Sequence, residues 1–257
     1  MVNKSIKWVL SALLSLSVGS IAHASNWSIV AQYPHAHDAF TQGLSYHDGY
    51  VYETTGQYGA SRLLRYQLGD ETPEIIHRLH RRYFGEGSII LNNEAIWLSW
   101  QRGIAFAVDL TTGERRRAFT YQGEGWGLAL SPDKSTMVMS NGSDTLQFLT
   151  PTGETVRTVR VTGAARRWDQ LNELEWVNGT IFANRWHTQQ ILAIDAQTGR
   201  IKALFDFGAL WDLQAEEQSL NRNMSFNGIA YRADTDTFLV TGKYWNQLFE
   251  VTLEGWQ

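Results

Sequence analysis

Apolar runs of strand length alternate with polar, glycine-containing turns along nearly the whole chain. Five of the runs open with one short step or a variant of it, a residue followed by Gly and an apolar residue. These steps are Gln42-Gly43-Leu44, Glu86-Gly87-Ser88, Trp126-Gly127-Leu128, Asn172-Glu173-Leu174 and Asn227-Gly228-Ile229. Each predicts a first strand. Second strands are predicted at 50–53, 95–98, 136–139, 180–183 and 238–241, and third strands at 63–66, 104–108, 145–149, 191–194 and 247–251. β-Branched, aromatic and aliphatic residues concentrate in those runs. Turns carrying Gly69, Gly113, Gly153 and Gly199 lead on to fourth strands at 74–78, 116–121, 155–161 and 202–207.

The five steps lie about 44, 40, 46 and 55 residues apart, within the range of propeller blade repeats. The pattern therefore predicts an all-β fold, a five-bladed β-propeller of four-stranded blades. The last repeat ends near Trp256 without a fourth strand, while an unassigned apolar stretch at 27–33 precedes the first repeat. Pairing that N-terminal strand onto the last blade closes the ring and hides two sheet edges that would otherwise be open. Residues 25–257 are expected to form one domain, since no Pro-rich, Ser-rich or charged linker divides them. The longest segment without an obvious strand, 208–225, is expected to form a short helix beside the channel entrance. The first strand of every propeller blade lines the central channel. Gln42, Glu86, Trp126, Asn172 and Asn227, far apart in sequence, are thus expected to meet at one channel mouth.

Residues 1–24 read as an export signal and not as part of the fold. Lys4 and Lys7 precede an apolar run at 8–21, and Ala22-His23-Ala24 supplies the small residues a signal peptidase needs. Ser11, Ser15, Ser17 and Ser20 interrupt the run, which is short for a spanning helix. Cleavage after Ala24 and a bacterial periplasmic or secreted location are expected, with no membrane attachment afterwards. The whole chain carries a formal net charge of −4, and loss of Lys4 and Lys7 takes it to about −6. Such a balance gives no reason to expect nucleic-acid binding. With no cysteine in the chain, disulfides, cysteine nucleophiles and cysteine metal sites are excluded.

Eight motifs stand in order at the repeat positions. They are Phe40-Thr41-Gln42-Gly43-Leu44, Glu53-Thr54-Thr55-Gly56-Gln57-Tyr58-Gly59, Tyr83-Phe84-Gly85-Glu86-Gly87 and Gly123-Glu124-Gly125-Trp126-Gly127-Leu128, then Leu171-Asn172-Glu173-Leu174-Glu175, Ala183-Asn184-Arg185-Trp186, Asn227-Gly228-Ile229-Ala230 and Thr241-Gly242-Lys243. At these residues the chain resembles the glutamine cyclotransferase family, the plant-type glutaminyl-peptide cyclotransferases, which are five-bladed propellers with bacterial members. The resemblance implies cyclisation of an N-terminal glutamine to pyroglutamate with release of ammonia, on peptides or proteins that begin with glutamine.

That reaction can be checked against the residues present. A neutral α-amine must attack its own side-chain amide carbon, the amide oxygen gains negative charge, and the nitrogen must be protonated before it leaves. The attack is intramolecular, so the enzyme holds the folded-back conformer and moves one proton. Glu86 matches the family's catalytic glutamate and is the expected proton carrier, with Glu124 and Glu173 as rivals expected to point into the blade or at backbone N–H groups. Asn172 and Lys243 are the expected stabilisers of the charged oxygen. Phe40, Phe84, Trp100, Trp126 and Trp186 are expected to form an aromatic pocket that favours the neutral amine, with Gln42 and Asn227 as further substrate-binding residues.

Two positions depart from the family pattern. Trp97 stands where the family usually has glutamine, which removes a polar group expected near the site, and Gln57 replaces the usual leucine. Among metal candidates, His35-x-His37-Asp38 could bind a cation but reads better as a solvated turn. Catalysis is expected to need no metal or other cofactor, and a structural calcium on backbone carbonyls remains compatible with the sequence. A monomer is expected. Two other function classes stay open at this point: a metal-dependent hydrolase of the lactonase kind, which needs several carboxylates in the channel, and a non-catalytic periplasmic peptide-binding propeller.

Overall fold

The computed structural model describes residues 26–164, 166–217 and 223–257, so the leader expected at 1–24 lies outside the described residues. β1 (Trp27–Pro34) opens the described chain. Blade 1 follows as β2 (Thr41–His47), β3 (Tyr50–Thr55), β4 (Arg62–Tyr66) and β5 (Glu74–Arg78). Blade 2 holds β6 (Gly85–Leu91), β7 (Glu94–Ser99), β8 (Ile104–Asp109) and β9 (Arg115–Thr120). Blade 3 holds β10 (Leu128–Leu130), β11 (Met137–Met139), β12 (Thr145–Leu149) and β13 (Thr155–Arg160). Blade 4 holds β14 (Leu171–Val177), β15 (Thr180–Arg185), β16 (Gln190–Asp195) and β17 (Ile201–Asp206). After helix α1 (Gly208–Glu217), blade 5 runs through β18 (Ser225–Arg232), β19 (Thr237–Lys243) and β20 (Gln247–Leu253).

Each blade is one antiparallel four-stranded sheet, and the five blades form the β-propeller that the repeats predict. Closure also follows the prediction: β1 pairs antiparallel with β20, from Trp27 opposite Leu253 to Pro34 opposite Gln247. A strand from the start of the chain thereby completes the blade made by its end, and the β20 edge is covered.

Local sequence sets the hairpins. Asp48 and Gly49 between β2 and β3, Asn92 and Asn93 between β6 and β7, and Asn178 and Gly179 between β14 and β15 all have positive φ. Two such residues in succession make the two-residue turn whose twist matches the flanking strands, and Asn, Asp and Gly are the types that adopt it most readily. Burial then grades across each blade. Every residue of β6 is buried, whereas β9 and β13 on the outside are mostly exposed and present Arg115, Arg117 and Arg157, charges that discourage edge-to-edge pairing.

The core is not central but lies in wedges between neighbouring blades. Between blades 4 and 5, Phe182, Phe205, Phe226, Phe238 and Phe249 are almost wholly buried, and the rings of Phe182 and Phe238 meet at 4.7 Å. Each such side chain contributes about 1.5–3 kcal/mol on burial. The expected strand at Trp126 begins at Leu128 instead. Trp126 N–H donates to Ser140 O at 2.9 Å and Trp126 O accepts from Gly87 N–H at 2.7 Å, so that residue turns toward blade 2 before the ladder starts. The expected helix forms as α1, but it packs Leu210 and Trp211 against the Trp245 region, and none of its described residues reaches the channel mouth.

Candidate active site

A β-bulge interrupts four of the five first strands at the repeated step, with the register slipping between Thr41 and Gly43, Gly85 and Ser88, Leu171 and Leu174, and Phe226 and Ile229. The slip leaves Gln42, Glu86, Asn172 and Asn227 without a ladder partner and re-aims their side chains, as bulges beside sites commonly do. The adjoining glycines let the first strands crowd together. A Cβ on Gly127 would sit 2.0 Å from Asn172 O, and one on Gly87 would sit 2.6 Å from Trp126 O. Blade 4 has Glu173 at this place, and its carboxylate reaches across the channel to accept from Leu44 N–H at 3.3 Å and Ile229 N–H at 2.7 Å.

Glu86, Asn172, Lys243 and Gln42 line one cup of about 230 Å³, room for a single side chain and not for a large ligand. Phe40, Phe84, Trp100, Trp126 and Trp186 form its wall, together with Gln57. The Glu86 carboxyl, the Lys243 ammonium and the buried Asn172 Oδ1 make no hydrogen bond to any described residue. Buried polar groups are normally paired, so open groups at the bottom of a cup point to a ligand that completes them. Burial raises the Glu86 carboxyl well above the ordinary carboxylate range; the Lys243 charge pulls it down and Glu124 pushes it up. Burial likewise brings Lys243 down to about 8 against the opposing pull of Glu86. Phe40 and Trp186 hold the Lys243 Nζ at 4.6 Å and 5.8 Å from their ring centroids, which favours its charged form.

The wall is itself tied together. Phe84 meets Phe40 edge-on at 5.9 Å and Trp100 at 5.5 Å, and Trp126 meets Trp186 edge-on at 5.4 Å. Glu124 accepts from Trp100 Nε1 at 2.8 Å, Trp126 Nε1 at 2.9 Å and Gln101 Nε2 at 3.2 Å. Although burial raises the Glu124 carboxyl, those three donors outweigh it and hold the group below its ordinary value.

Nine of the ten residues expected at the site thus share the cup, and Asn227 does not. It is wholly buried beside Gln42, where its Nδ2 donates to Thr41 O at 3.0 Å and to Gln42 Oε1 at 3.4 Å, which leaves Gln42 Nε2 without a hydrogen bond to any described residue. Glu173 meets backbone N–H groups as expected, whereas Glu124 serves indole N–H groups at the wall and does not turn into the blade. Trp97 is not at the site either. Its ring lies beneath Gly85, where a Cβ would come within 2.5 Å of it, in a buried cluster with Tyr52, Tyr83 and Phe106. The histidine turn is not solvated throughout: His35 is buried against Glu53 at 3.1 Å, Asp38 pairs with Arg62, and only His37 and Asp38 are exposed. Among the described residues, no group of three or more His, Asp or Glu side chains is arranged to hold a metal ion. Gln57 was missed as a wall residue. Its departure from the family's leucine was the one signal in the sequence.

Five blades around a channel whose mouth gathers Glu86, Asn172 and Lys243 within an aromatic wall define a β-propeller with a small polar-floored cup at the channel mouth. The chain belongs to the glutamine cyclotransferase family, whose family model matches residues 7–253. A glutaminyl-peptide cyclotransferase of Arabidopsis thaliana is 32% identical over 232 residues, spanning 88% of this chain and 71% of that protein. The crystal structure of Myxococcus xanthus glutaminyl cyclase superposes with a TM-score of 0.81 at 34% identity, over 91% of this chain and 98% of that one. A chain in a nidogen/laminin complex, 13% identical with a TM-score of 0.50, covers 69% of this chain and 84% of its own length and shares the fold alone.

Proposed function

We propose that the cup binds the N-terminal glutamine of a peptide or protein and closes it to pyroglutamate, releasing ammonia, as a glutaminyl-peptide cyclotransferase. The observation that carries this reading is the Glu86 carboxyl, raised by burial and without a hydrogen-bond partner among the described residues, in one cavity with Asn172 and Lys243. In the reaction the α-nitrogen bonds to the side-chain amide carbon, the carbon–nitrogen bond of the amide breaks, and one proton passes from the amine to the departing nitrogen. Glu86 carries that proton. A carboxyl group raised toward the amine's own range exchanges protons with it at little cost in either direction. Lys243 and the Asn172 amide stabilise the negative charge that develops on the amide oxygen. Gln42, oriented by Asn227, donates to the substrate from Nε2. The aromatic wall excludes water and disfavours the ammonium form of the substrate amine, which cannot attack.

Three further features belong to the same proposal. The leader at 1–24 directs export to the periplasm or the medium, and the mature protein works as a monomer on peptides that begin with glutamine. Catalysis needs no metal, because proton transfer and charge stabilisation are both supplied by side chains of the cup. A lactonase-type mechanism finds weaker support: Glu86 is the one carboxylate among the described residues that line the cup, and Glu173 is committed to backbone N–H groups.

The test is ammonia release from a Gln-initiated peptide, with the product identified by loss of one ammonia in mass, in the presence and absence of chelator. Activity should survive the chelator and fall at least ~100-fold in Glu86→Gln. Full activity in that variant would overturn the assignment of the proton to Glu86, and no turnover by the wild type would support a peptide-binding propeller instead.

A further inference from the structure

A glutamine whose amine and side chain reach Glu86, Asn172 and Lys243 at the floor leaves the rest of its peptide to exit over the rim. The described rim consists of Phe40, Gln57, Phe84, Trp100, Trp126 and Trp186, all partly exposed. Every amide of the departing chain presents a donor and an acceptor there. The phenylalanines offer neither partner, and an indole N–H can only donate. Trp100 and Trp126 already give theirs to Glu124. Gln57 is therefore the one rim residue, among those described, whose side chain can accept from a peptide N–H.

Its setting fits a binding role. Gln57 has a φ of 84°, in the left-handed region that few residues other than glycine occupy. Its carbonyl is pinned by Ala60 N–H at 3.1 Å, Ser61 N–H at 3.0 Å and the Ser61 hydroxyl at 2.8 Å. On one side, Gly56 lies so close to the wall that a Cβ there would come within 2.5 Å of Phe84 and 2.9 Å of Phe40. On the other, Tyr58 packs edge-on against Phe84 at 5.4 Å. The loop is thus fastened to the aromatic wall, yet the Gln57 main-chain N–H and side-chain amide make no hydrogen bond to any described residue. Backbone strain that persists under such anchoring is characteristic of positions with a functional role.

We propose that the Gln57 side-chain amide binds the first peptide bond of the substrate, donating from Nε2 to the carbonyl of the N-terminal glutamine and accepting at Oε1 from the N–H of the second residue. The proposal rests on the cyclotransferase reading and adds a substrate preference to it: the second residue should carry an N–H, and proline, which has none, should be disfavoured. Leucine, usual at this position in the family, can make neither bond.

The experiment compares kcat/KM on two peptides that differ only in their second residue, Gln-Ala and Gln-Pro, in wild type, Gln57→Leu and Gln57→Glu, each shown to be folded by its melting temperature. One net hydrogen bond at a partly exposed site corresponds to about a 3- to 10-fold effect. The Ala-over-Pro ratio of the wild type should exceed that of Gln57→Leu by this factor, and the difference should lie in KM. Gln57→Glu keeps an acceptor and should keep the wild-type ratio. Equal ratios in wild type and Gln57→Leu would overturn the proposal, as would a Gln57→Glu ratio that matches Gln57→Leu. Failure of the wild type to release ammonia from either peptide is a distinguishable result, which removes the cyclotransferase reading and this inference with it.

Discussion

Glu124 accepts the indole N–H of Trp100 at 2.8 Å across the gap between blades 2 and 3. The same carboxylate holds Trp126 at 2.9 Å, so one charged group orients two walls of the cup while its field raises the proton affinity of Glu86. Glu124→Gln keeps the shape, offers a single carbonyl oxygen to the two indoles and removes the charge. The Glu86 carboxyl should then fall toward its ordinary value, so the acid limb of kcat/KM against pH should move to lower pH. Both indoles already share one Glu124 oxygen, so KM should rise by about 10-fold as that acceptor becomes neutral and each bond weakens. A pH–rate profile measured on one Gln-initiated peptide checks both. An unmoved acid limb would count against electrostatic coupling of the two glutamates.

Lys243 acts on Glu86 with the opposite sign. Its charge stabilises the carboxylate, so Lys243→Met should raise the Glu86 carboxyl further and move the acid limb to higher pH. With burial bringing Lys243 to about 8, wild-type activity should decline as pH rises through that value and the lysine loses its charge. Loss of one stabiliser of developing negative charge costs about 100-fold or more in kcat. Profiles of wild type and variant over the alkaline range measure both effects.

Asn172 has a buried Oδ1 with no hydrogen-bond partner among the described residues, which a donor on the bound substrate is expected to satisfy. Asn172→Asp is nearly isosteric but places negative charge where the reacting oxygen becomes negative. Activity should fall by at least about 100-fold with little change in melting temperature. Asn172→Ala should lose less than Asn172→Asp, because it removes a donor without adding repulsion. Steady-state kinetics on the two variants decide the order.

Ring closure is expected to depend on the pair of His35 and Glu53. His35 follows β1 directly, its Nδ1 lies 2.7 Å from Trp245 O in blade 5, and its Nε2 lies 3.1 Å from the Glu53 carboxylate in blade 1. Thr41 Oγ1 and Tyr66 OH donate to the same carboxylate. Burial pulls His35 down, but the Glu53 charge and hydrogen bond, with the Trp245 carbonyl and the Asp38 charge, together outweigh it and leave the imidazole raised. Burial pushes Glu53 up, and His35 with the hydroxyl donors leaves it lowered. The sign follows for each partner. The raised histidine stabilises fully below its ordinary 6.5 and loses its effect as pH climbs through the folded value. The lowered glutamate stabilises fully above its ordinary 4.5 and loses its effect as pH falls through its folded value. The pair thus contributes most between those two values. Removing one partner leaves a buried unpaired charge at a cost of about 3–5 kcal/mol, so His35→Leu should melt about 6–20 °C lower near pH 5.5. Melting curves across pH test this, and a difference that does not depend on pH would remove the ion pair from the account.

The fold was open to reading along the chain because its signals are local and repeated. Asp48-Gly49 and Asn178-Gly179 encode tight turns by their own backbone preferences, and the apolar runs between turns encode strands. Blade count and closure follow from such signals alone, since five repeats, the last short of one strand, and one unpaired strand at the start leave a single way to complete the last blade. Gln42, Glu86 and Asn172 could be nominated for the same reason, each standing at an equivalent point of a repeat, and Lys243 stands at the end of a second strand.

What lies between repeats had no local signature. Asn227 occupies the same repeat position as Glu86, yet only packing decides that it turns toward Gln42 while Glu86 opens into the cup. Trp97 lies in the same blade as Glu86, on the strand paired with it, and whether its indole faces the cup or lies under Gly85 depends on which side of the strand the core occupies. The Trp100 partner of Glu124 and the partners of His35 and Glu173 come from other blades, where the chain separation carries no spacing rule. A repeat determines the positions that reach the channel, because strand period and turn geometry act over a few residues. Side-chain direction and proton affinity at those positions depend on burial and on charges brought close by closing the ring, and only the assembled propeller sets them.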